Sequence, residues 1–268
     1  VNTLHDPKSP ILLFDSGVGG LTVLAELRKL LPQAPVIYAA DHAGIPYGEK
    51  TEAEVAARVA GLLGRMSERY APRLACIACN TASTIALGMV REVLHIPIVG
   101  TVPAIKPAAS LTSTGVIGLL GTQATIRQAY VDNLEAEFAK GRTLLRHGAP
   151  ELVEQAEAKL RGEPVDDSVI AKAIAGLRGQ PSGDDIDVVV LACTHFPLLA
   201  SELSQHLGAG VQLIDGAAGI ARRIAHLTEG QSFERVVPDL AVTTGPLDRF
   251  EELRDALATY GLERIERF

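Results

Sequence analysis

Apolar residues run along this chain in two alternating rhythms. Short unbroken runs read as buried strands: Ile11–Phe14, Val36–Ala40, Leu74–Cys79, Ile96–Val99, Val116–Leu120, Asp187–Ala192, Val211–Ile214 and Leu240–Thr244. Between them, apolar positions recur at helical spacing over Leu21–Leu31 (closed by Pro32), about Thr51–Tyr70, Ala82–Leu94, Gln123–Lys140, Pro150–Arg161, Asp167–Leu177, Pro197–Leu207, Ala217–Leu227 and Leu247–Tyr260. Thr51 is placed to cap its helix, with Glu54 three residues on completing a capping box. Strands alternating with helices indicate parallel βαβ units. In such folds ligands bind beyond the carboxyl ends of the strands.

The pattern repeats itself in outline. Ile11-Leu-Leu-Phe-Asp-Ser16 lines up with Ile117-Gly-Leu-Leu-Gly-Thr122, each running into a helix, and the interval from Ser16 to Cys79 is close to that from Thr122 to Cys193. This suggests two related α/β halves, each contributing one cysteine. Pro103, Pro107 and the stretch Ser110–Thr114 mark a boundary region between them.

Composition narrows the classes. At 268 residues the chain can bury a sizeable core, and 4% aromatic content without Trp makes that core aliphatic. A net charge of −7 argues against broad binding of nucleic acid or anionic membrane. No stretch approaches the roughly eighteen apolar residues of a membrane span. The start Val1–Lys8 has no basic flank followed by an apolar segment and no initiator Met, so a trimmed N-terminus without a secretory leader is expected. Three cysteines make no even disulfide framework, which fits a reduced, cytoplasmic setting.

The chemistry gathers at two strand ends. Leu74-Ala-Cys-Ile-Ala-Cys79-Asn80-Thr81 and Val188-Val-Val-Leu-Ala-Cys193-Thr194-His195 each stop at a thiol and turn toward a helix. A thiol at a helix start lies near free backbone N–H groups, which favour thiolate. Asn80, Thr81 and Thr194 supply donors for a carboxylate beside the sulfur. A single cysteine is usually packing, as Cys76 is here; the repeated context of Cys79 and Cys193 favours function. Asp15 and Ser16, in the glycine-rich turn Asp15–Gly20, are either helix caps or partners of a thiol. Tyr47 and Gly48 sit in the loop Asp41–Glu49 on the same sheet edge, where the phenol can bond a substrate carboxylate and Gly48 can offer its N–H, though Pro and Gly are also ordinary turn residues. His195 is either a cap or core histidine, or a proton shuttle beside Cys193. Cys76 and Cys79 match a C-x-x-C spacing, but Cys76 falls inside the strand instead of at a helix start, and a zinc site would have only Cys193 and His195 as further ligands.

Taken together, Asp15-Ser-Gly-Val-Gly-Gly20, Pro46-Tyr-Gly48, Cys79-Asn-Thr-Ala82 and Cys193-Thr-His-Phe-Pro197 resemble the glutamate racemase family within the aspartate/glutamate racemase superfamily. The resemblance implies an α/β fold of two similar doubly wound parallel-sheet domains related by pseudo-twofold symmetry, with the active site between them. Residues 1–99 with 208–268 are expected to form the first domain and 100–207 the second. It implies a cofactor-independent racemase without metal that makes D-glutamate for peptidoglycan, cytoplasmic and homodimeric, with glutamate as its small-molecule partner.

Carried over by motif, Cys79 and Cys193 are the catalytic thiols, assisted by Asp15 and His195 respectively. Asp15, Ser16, Tyr47, Gly48, Asn80, Thr81, Thr194 and His195 contact substrate. The family's catalytic-site glutamate, in a Pro-Leu-Val-Glu context, finds its nearest match in Glu154 of Pro150-Glu-Leu-Val-Glu154, without the usual preceding residues. Rival readings are a racemase for aspartate, a single-cysteine hydrolase or isomerase, a non-catalytic ligand-binding domain and a C-x-x-C redox protein. No Lys stands out for a pyridoxal Schiff base.

Overall fold

The computed structural model describes residues 6–268 of the chain. The leader reading rests partly on residues 1–5, which lie outside that range. The chain begins with β1 (Ile11–Asp15), α1 (Leu21–Leu30), β2 (Val36–Ala40), α2 (Glu52–Tyr70), β3 (Leu74–Ile77), α3 (Asn80–Val93) and β4 (Ile98–Gly100). A second series follows: α4 (Ile105–Leu111), β5 (Val116–Gly121), α5 (Gln123–Ile126), α6 (Ala129–Phe138), β6 (Thr143–Gly148), α7 (Glu151–Leu160), α8 (Asp167–Arg178), β7 (Val188–Ala192), α9 (Ala200–Leu207) and β8 (Gln212–Ile214). The chain closes with α10 (Ala217–Leu227), β9 (Asp239–Thr243), α11 (Leu247–Glu251), α12 (Arg254–Thr259) and β10 (Leu262–Arg267).

Two compact units result. One holds the residues up to Thr101 together with Ala217–Phe268, the other Val102–Gly216. The return to the first unit comes after β8, later than residue 208, because β8 continues the second sheet by pairing Gln212 with Val188 of β7. The first sheet runs β10-β9-β2-β1-β3-β4 and the second β6-β5-β7-β8, parallel throughout. The inner order β2-β1-β3-β4 recurs as β6-β5-β7-β8, so the repeat seen in the sequence is a repeat of topology.

Helices cover both faces of each sheet, which is why the strands are continuous apolar runs. In the first unit Leu12, Phe14, Ala75 and Ile77 pack against Val55, Val59, Leu63 and Met66 of α2 and Ala86 and Val90 of α3. Burying a side chain such as Leu63 stabilises the unit by about 1.5–3 kcal/mol. In the second, Leu120, Val189 and Leu191 meet Ile170, Ile174 and Leu177 of α8, while Ile117, Leu119 and Val190 face Ile105, Val131 and Leu134. The Thr51–Glu54 capping box forms in full: Glu54 N–H donates to Thr51 Oγ1 at 3.3 Å, and Thr51 N–H donates to Glu54 Oε2 at 2.9 Å.

The sequence pattern misses three elements. β6 and β10 are edge strands in which polar and charged residues interrupt the apolar ones, so neither shows an apolar run. α4 lies in the boundary region and carries Pro107 in its first turn, where a missing N–H costs nothing. Two expected helices are each broken in two: Gln123–Lys140 after Ile126 and Leu247–Tyr260 after Glu251. Among the described residues no helix is long and apolar enough to cross a membrane.

Candidate active site

At the carboxyl edge of the first sheet, β1 delivers Asp15 and β3 leads into Cys79. Asp15 is fully buried. Its Oδ2 accepts from Gly20 N–H at 2.5 Å and its Oδ1 from Ser16 Oγ at 3.3 Å. Ser16 Oγ also lies 3.5 Å from Cys79 Sγ, linking the carboxylate to the thiol through one hydroxyl. Gly20 has no room for a side chain: a Cβ there would meet Asp15 Oδ2 at 2.9 Å and Ala78 Cβ at 2.9 Å. The glycine-rich turn is therefore shaped by close packing on the carboxylate.

Cys79 is itself the N-cap of α3, its sulfur accepting from Ala82 N–H at 3.5 Å. Ser83 fixes the start of that helix by donating to Ile77 O at 3.0 Å and accepting from Thr101 N–H at 2.8 Å. Asn80 and Thr81, the first residues of α3, are buried beside the thiol. Among the described residues the Asn80 side-chain oxygen is buried without a hydrogen-bond partner. A buried acceptor of this kind is available to a donor beside the thiol.

Cys76 is walled off in β3 at 0% exposure, and burial with the nearby Asp15 pushes its thiol far above the usual cysteine range. All three cysteines are free thiols. Tyr47 opens a single 3-10 turn, Tyr47–Glu49, and its hydroxyl donates to Asp41 at 2.5 Å. Burial first, then Asp41, raises this phenol well beyond the ordinary tyrosine value.

In the second unit Gly121 stands at the end of β5 where Asp15 ends β1, so this half has no acid on the matching strand. Its ionisable partners come from elsewhere. Cys193 follows β7 directly, and His195 Nδ1 lies 4.0 Å from its sulfur. His195 Nε2 reaches Glu157 Oε1 of α7 at 3.1 Å. Burial alone would drive this imidazole neutral, but hydrogen bonds and charge from Cys193 and Glu157 outweigh it and hold His195 well above its ordinary pKa. Where an α-helix was expected to start at Pro197, a 3-10 turn spans Phe196–Leu199 and α9 begins only at Ala200. His195 is the residue that leads into that turn.

Glu154 is not brought to this thiol. Its side chain is 71% exposed and pairs with Arg161 at 2.8 Å. On α7, Glu154 lies about 200° around the helix from the buried Leu152, facing away from the core. Glu157, one helical turn further along, was missed by the sequence reading. Leu152 and Ala156 mark the apolar side of α7, but Glu157 lies about 140° around the helix from Leu152, so the sequence pattern does not single it out. Within the first unit the structure gathers Asp15, Ser16, Tyr47, Cys79, Asn80 and Thr81 at the carboxyl edge of the sheet; within the second it gathers Cys193, Thr194 and His195. Among the described residues no group of three or more His, Cys, Asp or Glu side chains is arranged to hold a metal ion.

Comparison with known proteins gives a consistent result. The family model for Asp/Glu/hydantoin racemases matches residues 22–224. A glutamate racemase of Sphingopyxis alaskensis is 65% identical over 261 residues, covering 97% of this chain and 97% of that protein. The glutamate racemase of Escherichia coli strain K12 is 44% identical over 271 residues, covering 99% and 93%. A crystal structure of Escherichia coli glutamate racemase, in complex with L-glutamate and the activator UDP-MurNAc-Ala, superposes with a TM-score of 0.91 at 43% identity, covering 97% of this chain and 98% of that one.

Proposed function

The chain belongs to the Asp/Glu/hydantoin racemase family and, from its near full-length identity to glutamate racemases, is an amino-acid racemase, and on that premise we propose that it interconverts L-glutamate and D-glutamate by a two-thiol mechanism without a cofactor. The observation that carries this reading is that each unit ends a parallel strand at a free, buried cysteine with its own ionisable support: Asp15 through Ser16 for Cys79, and His195 with Glu157 for Cys193.

One thiolate takes the Cα proton, leaving the electron pair on the carbon and α-carboxylate. The opposite thiol then gives its proton to the other face of Cα. After product leaves, the protonated thiol loses its proton to water and the opposite thiolate gains one, which restores the first protonation state for the next turnover. The two products are mirror images, so both faces need an acid–base thiol, and a repeated βαβ topology supplies one per unit. The obstacle is acidity: an unperturbed thiol has a pKa of about 8.5, far below that of an amino-acid α-proton. Donors aimed at the α-carboxylate must stabilise the charge that develops there. Thr81, Thr194 and the N–H groups opening α3 suit that task, and Asn80 Oδ1 suits the α-ammonium. His195 stands within reach of Cys193 to pass a proton, and Glu157 helps keep that imidazole charged and oriented.

In this reading the protein works in the cytoplasm as a homodimer, and its product feeds peptidoglycan. The test is racemisation of D- and L-glutamate and D- and L-aspartate followed by circular dichroism. Glutamate is expected to turn over with solvent deuterium entering Cα, and Cys79→Ala and Cys193→Ala are each expected to abolish turnover while keeping the fold. Either variant racemising near the parental rate would sink the two-thiol assignment, and preference for aspartate would replace the substrate.

A further inference from the structure

A buried polar cluster at the carboxyl end of β2 takes no part in the proton transfers above. Asp41, the residue after β2, is fully buried, and a carboxylate in that position is costly unless its oxygens are satisfied. Here they are. Tyr47 Oη donates to Oδ2 at 2.5 Å, Arg58 donates through Nε to Oδ2 and through Nη2 to Oδ1 at 2.6 Å, and Thr244 Oγ1 donates to Oδ1. The two-pronged guanidinium contact also fixes direction. The donors come from three places: the 3-10 turn, α2 and the segment after β9. Thr244 further accepts from Ala43 N–H at 3.1 Å, and its own N–H donates to Ala40 O at 3.1 Å, tying the loop down from the other side.

The loop closes tightly over this cluster. A Cβ at Gly44 would meet Asp41 Oδ2 at 2.3 Å, Arg58 Nε at 2.5 Å and Tyr47 Cε1 at 2.8 Å, so only glycine passes there. A phenol has one proton to give. Tyr47 gives it to Asp41, from a side chain only 2% exposed. The hydroxyl that the sequence reading offered to a substrate carboxylate is already committed.

We propose that Asp41, Arg58 and Thr244 are positioning residues that hold the Tyr47–Gly48 turn by the Tyr47 hydroxyl, so that the turn meets substrate through its main chain and the phenol makes no substrate contact. This rests on the racemase reading. Its physical content is preorganisation: a short turn with no strand of its own is ordered before binding, and that ordering cost is not drawn from binding energy. Loosening the clamp removes binding shared by ground and transition states, which raises KM and leaves kcat nearly unchanged.

The test is a double-mutant cycle on the full chain with Tyr47→Phe, Arg58→Met and both together. Each single variant is expected to raise KM for both enantiomers about tenfold, with kcat within about threefold. The double variant is expected to add no more than about twofold to the larger single effect, because both changes open one clamp. Arg58→Lys keeps the charge without the two-pronged contact, so it should give the same direction at smaller size, and it serves if the Met variant does not fold. Amide exchange across residues 43–50, measured without substrate, should quicken about tenfold in Arg58→Met. KM effects that multiply in the double variant would place the phenol on the substrate and overturn the proposal, as would parental KM and parental exchange in Arg58→Met. The exchange result decides the clamp even where the chain fails to racemise glutamate, which would count against the function alone.

Discussion

Replacing Glu157 by Gln separates the carboxylate's charge from its shape. The amide keeps a hydrogen bond to His195 Nε2 but withdraws the negative charge that helps hold the imidazole protonated. A hydrogen bond involving a charged group contributes about 1.5–3 kcal/mol against about 0.5–1.5 kcal/mol for a neutral pair. The difference, about 1–1.5 kcal/mol, corresponds to about one pH unit. Full weight is warranted because the two side chains are only 3% and 12% exposed.

The sign follows from the raised His195. Its imidazolium exists below the folded-state pKa and is lost as pH rises through it, so lowering that pKa removes activity from the alkaline side. The expected outcome is an alkaline limb of kcat/KM moved down by about one pH unit and a loss of about tenfold on that limb, with the acid limb in place. The assay is racemisation of D-glutamate by circular dichroism between about pH 6 and about pH 10. Glu154→Gln is the control, expected within about twofold of the parent because an exposed ion pair such as Glu154–Arg161 is worth about 0–1 kcal/mol. An unmoved alkaline limb in Glu157→Gln, or a larger loss in Glu154→Gln, would refute the assignment.

Other expectations test other parts of the structure. Cys76, fully buried with its thiol pushed high by burial and then by Asp15, should resist iodoacetamide at neutral pH until denaturant is added, read by peptide mass spectrometry; native-state labelling would contradict its placement in β3. Asp187 accepts from Thr112 Oγ1 at 2.6 Å, Ser113 N–H and Oγ at 2.7 Å each, and Thr114 N–H at 3.0 Å. Burial opposes ionisation, but these donors prevail and hold the carboxyl far below its usual range. Asp187→Ala should cost about 1–2 kcal/mol near neutral pH, a hydrogen-bond figure at the low end because solvent reaches this side chain. Since the folded pKa is depressed, that contribution is present above about pH 4 and fades as pH falls below it, which urea melts at several pH values would show. Gly20→Ala should push Asp15 or Ala78 out of place, lowering kcat/KM more than about tenfold with a modest loss of stability by thermal melting.

The sequence by itself determined the parallel α/β class, because strands buried on both faces must be continuous apolar runs and their helices must be amphipathic. It also determined the two strand-end thiols, the glycine-rich turn and the repeat, since each is a local pattern of residue type and spacing. Edge strands escaped it: β6 and β10 are held by pairing to one neighbour, and charged residues break up their apolar positions, so hydrophobicity does not mark them. The return point after β8 escaped for a related reason, being set by pairing to β7.

Only the tertiary structure decided which carboxylate serves His195. Glu154 and Glu157 are both acids on one short helix; the fold buries the second against His195 and leaves the first in solvent beside Arg161. The same holds for Asp41, Arg58 and Thr244, far apart in sequence and joined only where β2, α2 and the end of β9 converge. Residue types and their spacing follow from the chain; which charges end up buried against each other follows from how helices rotate and segments return, and those are settled by packing.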